Sequence, residues 1–233
     1  EGPLKNFYHR YRVLRSFASV LLDSYWLGIN PKARLENQWV NIEPLMEICK
    51  AGKGAVLVSA HVGNWQTSLN VLDSLPVKMN LLAQPDQVEI EQYLGADRKG
   101  CPFEIIDSSD PFGGMIGATN ALMRGELVNI MADRYLGGTS ATVDFLGTPV
   151  RLPTAAYHLA ATVGVPVIIF LTAKTGRDTF EVRVWKIMKP QNAARENRRA
   201  MLDRYALDFS QTLEKYVRNY PYQWYNFFDF WKQ

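Results

Sequence analysis

The sequence is short of the residues that most metal and redox chemistry needs. Only two cysteines, Cys49 and Cys101, and three histidines, His9, His61 and His158, occur among 233 residues. Nothing in the spacing pairs the cysteines, so no disulfide framework is expected and a reducing compartment is. The histidines are scattered and no His-Glu-x-x-His occurs, so no metal-ligand set is expected. No glycine-rich phosphate loop is present, which argues against ATP or NAD as a cofactor. No Gly-x-Ser-x-Gly elbow occurs either, which disfavours a serine hydrolase or thioesterase, although Ser59 lies two residues from His61. No apolar run reaches the roughly 20 residues that span a bilayer, and no signal peptide is recognisable. The chain opens on Glu1 rather than Met, so an anchor ahead of it stays open. A strong excess of one charge is also missing. Twenty-six basic against 23 acidic side chains leave +3, too little to argue for nucleic acid but suited to anionic partners such as lipid headgroups or an acidic carrier protein.

What is present is an ordinary globular composition, 47% hydrophobic and 21% charged, in one stretch without repeats or linkers. Short β-branched runs alternate with helical patterns. Strands are expected at 54–60, 79–83, 103–106, 127–131 and 165–171, with an antiparallel edge strand at 180–185. Helices are expected at 64–75, 86–98, a segment ending near Arg124, 153–163 and 192–219. That alternation predicts a single α/β domain, a mostly parallel central sheet flanked by helices.

From Leu4 to Leu27, Phe7, Tyr11, Leu14, Phe17, Leu21 and Tyr25 recur at three- and four-residue steps, with Lys5, His9, Arg10, Arg12 and Arg15 crowding the first half. Residues 1–30 therefore read as an amphipathic basic helix ahead of a domain over 31–233. It either lies on an anionic membrane or packs on the domain; amphipathicity serves both. At the other end, eight of the twelve residues from Tyr220 to Trp231 are aromatic. They suit a tail folded over the domain better than a bilayer interface. Arg195, Arg198 and Arg199 form a basic cluster on the last helix, read as a solvated face before a carrier-docking one.

Of the histidines, His9 falls in the basic helix and His158 in an apolar helical stretch. His61 directly follows a strand, where ligands bind in open α/β sheets. Gly63 permits a tight turn and Asn64 can cap the next helix. Asp133 and Arg134 also follow a strand and precede Gly137 and Gly138. Arg134 can hold a phosphate or carboxylate through its forked donors, or form a loop-stabilising ion pair with Asp133. Thr148 and Arg151 lie in the same block as weaker substrate-binding candidates.

Ser59-Ala60-His61-Val62-Gly63-Asn64-Trp65-Gln66 resembles the His-x4-Glu/Asp box of the bacterial lipid A biosynthesis acyltransferases, within the glycerolipid acyltransferase superfamily. Met131-Ala132-Asp133-Arg134, Val143 to Pro149 and Pro153-Thr154-Ala155 resemble that family's central substrate-site block. Gly164 to Ile169 resembles its later Val-Pro strand, and Pro221 to Asn226 its aromatic ending. The resemblance implies a glycerolipid-acyltransferase-like fold. It also implies transfer of a fatty acyl group from an acyl carrier protein or CoA thioester, used as co-substrate without further cofactor, to a hydroxyl of a membrane lipid or glycolipid. The implied location is the cytoplasmic face of the bacterial inner membrane. His61 would act as general base, with Asn64, Asp133, Arg134, Thr148 and Arg151 around the substrate. The departure is Gln66, which stands where the family carries the acidic partner of the histidine. Glutamine can accept from the imidazole N–H but cannot neutralise an imidazolium. In a serine protease the corresponding Asp-to-Asn change costs about 10⁴ in rate. Three explanations stay open: a deliberate Glu-to-Gln change, a natural member with a weakened or repurposed site, or a carboxylate supplied from elsewhere. A non-catalytic lipid-binding relative is the alternative function.

Overall fold

A computed structural model describes residues 2–30, 33–65, 75–84, 103–110, 112–189 and 195–232. Gln66, Cys101, the expected helix at 86–98 and most of that at 64–75 lie outside the described residues. The sheet is built on β2 (Ala55–Ser59), β3 (Met79–Ala83), β4 (Phe103–Asp107), β5 (Leu127–Met131) and β8 (Val167–Lys174). These five run parallel. β9 (Thr179–Met188) returns antiparallel along β8, and β1 (Glu36–Val40) adds outside it, parallel to β9. The complete order is β1-β9-β8-β2-β5-β3-β4, the mostly parallel α/β sheet expected.

The fully buried run of β2 explains its central place: all five of its residues are buried, and side chains alternate between two cores. Val56 and Val58 face a cluster shared with α3 (Met115–Met123), α4 (Ala155–Val163) and α5 (Arg195–Asn219). Ala55 and Leu57 face a second cluster with Leu45 and Cys49 of α2 (Glu43–Lys50). Small residues on α3 and α4, among them Ala118, Ala121, Ala156 and Ala160, let those helices sit close to the strands.

Two sequence expectations need correcting. The strand at 180–185 is longer and is not an edge, because β1 covers it; β1 has exposed residues at 36–38 and gives no alternating signal. The stretch 143–149, read only as part of a substrate block, lies in a hairpin of β6 (Ser140–Phe145) and β7 (Thr148–Pro153). Its two-residue turn, Leu146-Gly147, has φ of 53° and 81°, the left-handed pair that a tight hairpin requires.

The N-terminal helix α1 (Pro3–Ile29) packs on the domain along one face. Val20 and Ser24 are buried, Phe17 meets Tyr225 and Phe227 at ring distances of 5.1 and 5.0 Å, and Asp23 pairs with Lys174 at the end of β8. Its opposite face is a row of exposed apolar side chains. Among the described residues no helix is long and apolar enough to cross a membrane.

Candidate active site

The topology reverses between β2 and β5. After β2 the chain passes beyond β5 to reach β3, whereas after β5 it passes back beyond β2 to reach β8. Neighbouring strands whose continuations leave in opposite directions open a crevice at their carboxyl ends. The register Ala55↔Leu127 through Ser59↔Met131 makes the two strands end level, and Ala132 N–H donates to the Ser59 carbonyl at 2.9 Å. His61 and Asp133 each stand two residues past a strand end, so they face each other across one strand spacing.

Asp133 is fully buried and its oxygens are occupied by three donors. His61 Nδ1 donates to Oδ1 at 2.9 Å. The His61 backbone N–H and the Trp224 indole N–H donate to Oδ2 at 3.1 and 3.2 Å. Burial pushes the Asp133 carboxyl up, but the charge of a protonated His61 and these three hydrogen bonds outweigh it and hold the group below the ordinary carboxylate range. An ionised carboxylate only accepts, so Nδ1 carries a proton, and in the neutral imidazole the lone pair falls on Nε2. The His61 side chain is 18% exposed, and its Nε2 has no hydrogen-bond partner among the described residues.

The turn carrying His61 is clamped by the aromatic tail. Val62 bridges to Trp224, the Gly63 N–H donates to the Gln223 carbonyl at 2.9 Å, and the Tyr225 N–H donates to the His61 carbonyl at 2.8 Å. The Gln223 side-chain amide completes the clamp by imitating a strand partner for Lys174. It accepts from the Lys174 N–H at 2.7 Å and donates to its carbonyl at 2.8 Å. Gly63 has φ of 52°, and a Cβ there would sit 2.0 Å from the Thr172 carbonyl oxygen. Only glycine fits. Trp65 meets the His61 ring at 60°, 5.7 Å between centroids, and lies stacked over Phe17 of α1.

Arg134 is half-buried beside this pair. One of its terminal nitrogens donates to the Tyr225 carbonyl at 3.2 Å, and the guanidinium lies 5.5 Å from the Phe228 ring. Its buried Nε has no hydrogen-bond partner among the described residues. Burial lowers its pKa, opposed by the Asp133 charge, yet a guanidinium stays protonated. Asn64 is fully buried and part of the turn. Arg151, on β7, donates to Tyr135 at 2.7 Å and to Ser140, and stacks 4.0 Å over the Tyr135 ring. Thr148 is exposed at the hairpin end, paired with Phe145. Neither bonds to His61 or Asp133. The structure thus brings together His61, Asp133, Arg134 and the neighbouring Asn64, with Thr148 and Arg151 on the hairpin. His158 bonds within its own helix, through Thr162, and takes no part.

Sequence reasoning placed Asp133 against the substrate, whereas its oxygens are turned to His61 and Trp224. It overlooked Trp224 as a donor. The available signal was positional: Met131-Ala132-Asp133 leaves its strand as Ser59-Ala60-His61 leaves β2, and only the adjacency of the two strands was missing.

A buried carboxylate bonded to a partly open histidine, at the switch point of a parallel sheet, defines an α/β protein with an oriented histidine at its strand ends. The chain belongs to the bacterial lipid A biosynthesis acyltransferase family, whose model matches residues 11–233. It is also similar to a phosphatidylinositol mannoside acyltransferase of Mycobacterium tuberculosis (strain ATCC 25618 / H37Rv), 30% identical over 123 residues. That match covers 51% of this chain and 38% of the relative.

Proposed function

We propose that this protein transfers a fatty acyl group from a thioester, on an acyl carrier protein or CoA, to a hydroxyl of a membrane glycolipid or phospholipid, with His61 as general base and Asp133 as its partner. The observation that carries this reading is the buried Asp133 holding His61 through Nδ1 and leaving Nε2 unoccupied. An acceptor hydroxyl is a weak nucleophile at neutral pH and needs its proton removed as it attacks. Nε2 takes that proton as the oxygen bonds to the thioester carbon. The imidazolium so formed is stabilised by the Asp133 carboxylate at 2.9 Å. Collapse of the tetrahedral species breaks the carbon–sulfur bond, and the imidazolium returns its proton to the departing thiolate. Arg134, with Nε unsatisfied beside the pair, is the candidate to hold an anionic group of either substrate. In this reading Gln66 does not disable the enzyme, because the charge at the histidine is supplied from β5. The work is done at a lipid surface, on the cytoplasmic face of a bacterial inner membrane, and lipid A or a mannosylated phosphoinositide represents the class of acceptor.

The test is acyl transfer from a labelled acyl thioester to a bacterial lipid extract, comparing the protein with Asp133→Asn and Gln66→Glu. Asp133→Asn is expected to lower turnover by about 10³- to 10⁴-fold, while Gln66→Glu stays within several-fold. A gain of orders of magnitude with glutamate, together with unchanged turnover of Asp133→Asn, would return the partner role to position 66. Lipid binding without turnover in all three proteins would replace the reading with a non-catalytic lipid-binding member of the family.

A further inference from the structure

Between α1 and the tail lies a chamber of about 540 Å³ whose walls include none of His61, Asp133 and Trp65. Arg12, Arg15, Ser16 and Ser19 line it from α1, and Asn219 and Tyr222 from the other side. None of its described lining residues is acidic, and its lysine, Lys174, is already neutralised by Asp23. Among the described residues, the guanidinium groups of Arg12 and Arg15 have no carboxylate partner. Arg12 is held in place, lying 4.5 Å over the Tyr222 ring and donating to the Tyr8 hydroxyl at 2.7 Å. Arg15 is exposed and makes no hydrogen bond or ion pair among the described residues. Fixed guanidinium, free guanidinium and small hydroxyls around one cavity are the donor set of a phosphate ester site.

The position of the chamber on α1 says where such a phosphate comes from. At about 100° per residue, the packed residues Phe17, Val20 and Ser24 fall on one face. Leu4, Phe7, Tyr11, Leu14, Leu22 and Ile29 fall on the opposite one, and all six are exposed. This row runs the length of a 27-residue helix, about 40 Å, and soluble monomers rarely leave so continuous an apolar strip in water. Arg12 and Ser19 lie between the two faces, at the seam where the strip meets the domain, and Arg15 borders the strip on the same side. A helix floating with its strip among acyl chains holds that seam at headgroup depth.

We propose that the chamber binds the phosphodiester headgroup of an anionic bilayer lipid through Arg12 and Arg15, and so seats α1 on the membrane. The occupant is a lipid in a bilayer and not a soluble phosphate. The presence of a membrane acceptor is taken from the acyltransferase reading; vesicle binding is read without turnover, so each can fail by itself.

The experiment is co-sedimentation of the whole chain with vesicles of phosphatidylcholine alone and of phosphatidylcholine with phosphatidylglycerol in equal parts. Tighter binding to the anionic vesicles is expected, with Arg15→Glu losing about tenfold or more of that affinity. The charge-matched variant Arg204→Glu, on the exposed face of α5, should lose little. Turnover of Arg15→Glu on detergent-dispersed acceptor is expected to stay unchanged. Equal losses for Arg15→Glu and Arg204→Glu would reduce the effect to overall charge and overturn the site. Indifference to phosphatidylglycerol would do the same. Release of the protein by millimolar glycerol phosphate, with no more binding to anionic than to neutral vesicles, would reassign the chamber to a soluble phosphate ester. Vesicle binding that follows Arg15 in a protein without turnover would keep this site and remove the acyltransferase reading.

Discussion

The carboxyl ends of β2 and β5 and the helix α1 deal with apolar and polar surface in opposite ways. At the strand ends a charged group is withdrawn completely from water and every oxygen is accounted for: Asp133 has no exposure and three donors. Along α1 large apolar side chains stay in water, with Leu4 at 85% and Phe7 at 70% exposure. Buried charge is tolerated only where hydrogen bonds and a counter-charge replace hydration, so the first region must be rigid and tolerates little change. An exposed apolar strip adds nothing to folding, so the second is free to answer to a partner. Changes of comparable size should therefore have very different consequences in the two places.

The largest contrast is expected at His61. His61→Ala should reduce acyl transfer by about 10⁴-fold or more and leave the circular dichroism spectrum in place; substantial residual turnover would break the assignment of the base. Gly63→Ala is next. The added methyl group would meet backbone at 2.0 Å, in a conformation unfavourable to L residues, and a loss of about 3 kcal/mol or more in chemical denaturation is expected. Trp224→Phe keeps an aromatic, though smaller, ring and removes one donor to Asp133. That should cost about 1–3 kcal/mol, read as a ten- to hundredfold loss in turnover with substrate KM little changed. A larger change in KM than in kcat would make Trp224 a wall of the substrate site instead. On the other side of the comparison, Leu14→Ser should leave unfolding stability within about 0.5 kcal/mol and weaken vesicle binding. A drop of several kcal/mol would show that the strip is covered by the protein itself.

Much of the fold was legible because it rests on local pattern. The runs at 54–60, 79–83, 103–106, 127–131 and 165–171 are apolar or β-branched, and a strand appears at each, with ends that differ by up to three residues. The strand β1 was not legible: Glu36, Asn37 and Gln38 are exposed and are recruited by pairing with β9. At the site, His61 could be singled out from its position after a strand, and Arg134 from its position after another. The bond between His61 and Asp133 could not, since it depends on β2 and β5 being neighbours although β3 and β4 intervene in sequence. Gln66 drew attention because the box pattern concerns sequence neighbours, whereas the hydrogen bonds to His61 among the described residues come from 72 and from more than 160 positions away.

The sequence by itself determined the parallel strands of the central sheet and the helices at 153–163 and 192–219, that α1 is amphipathic and basic, and that a histidine leaves the central strand at a glycine turn. Each of these follows from side-chain periodicity and local backbone preference, which act over a few residues. The tertiary structure alone decided that Asp133 is the carboxylate at His61, that Trp224 and Gln223 lock the turn, and which face of α1 is left in water. Those outcomes depend on strand order and register. Both are set by how two cores close over the whole sheet, and no short stretch of sequence contains that information.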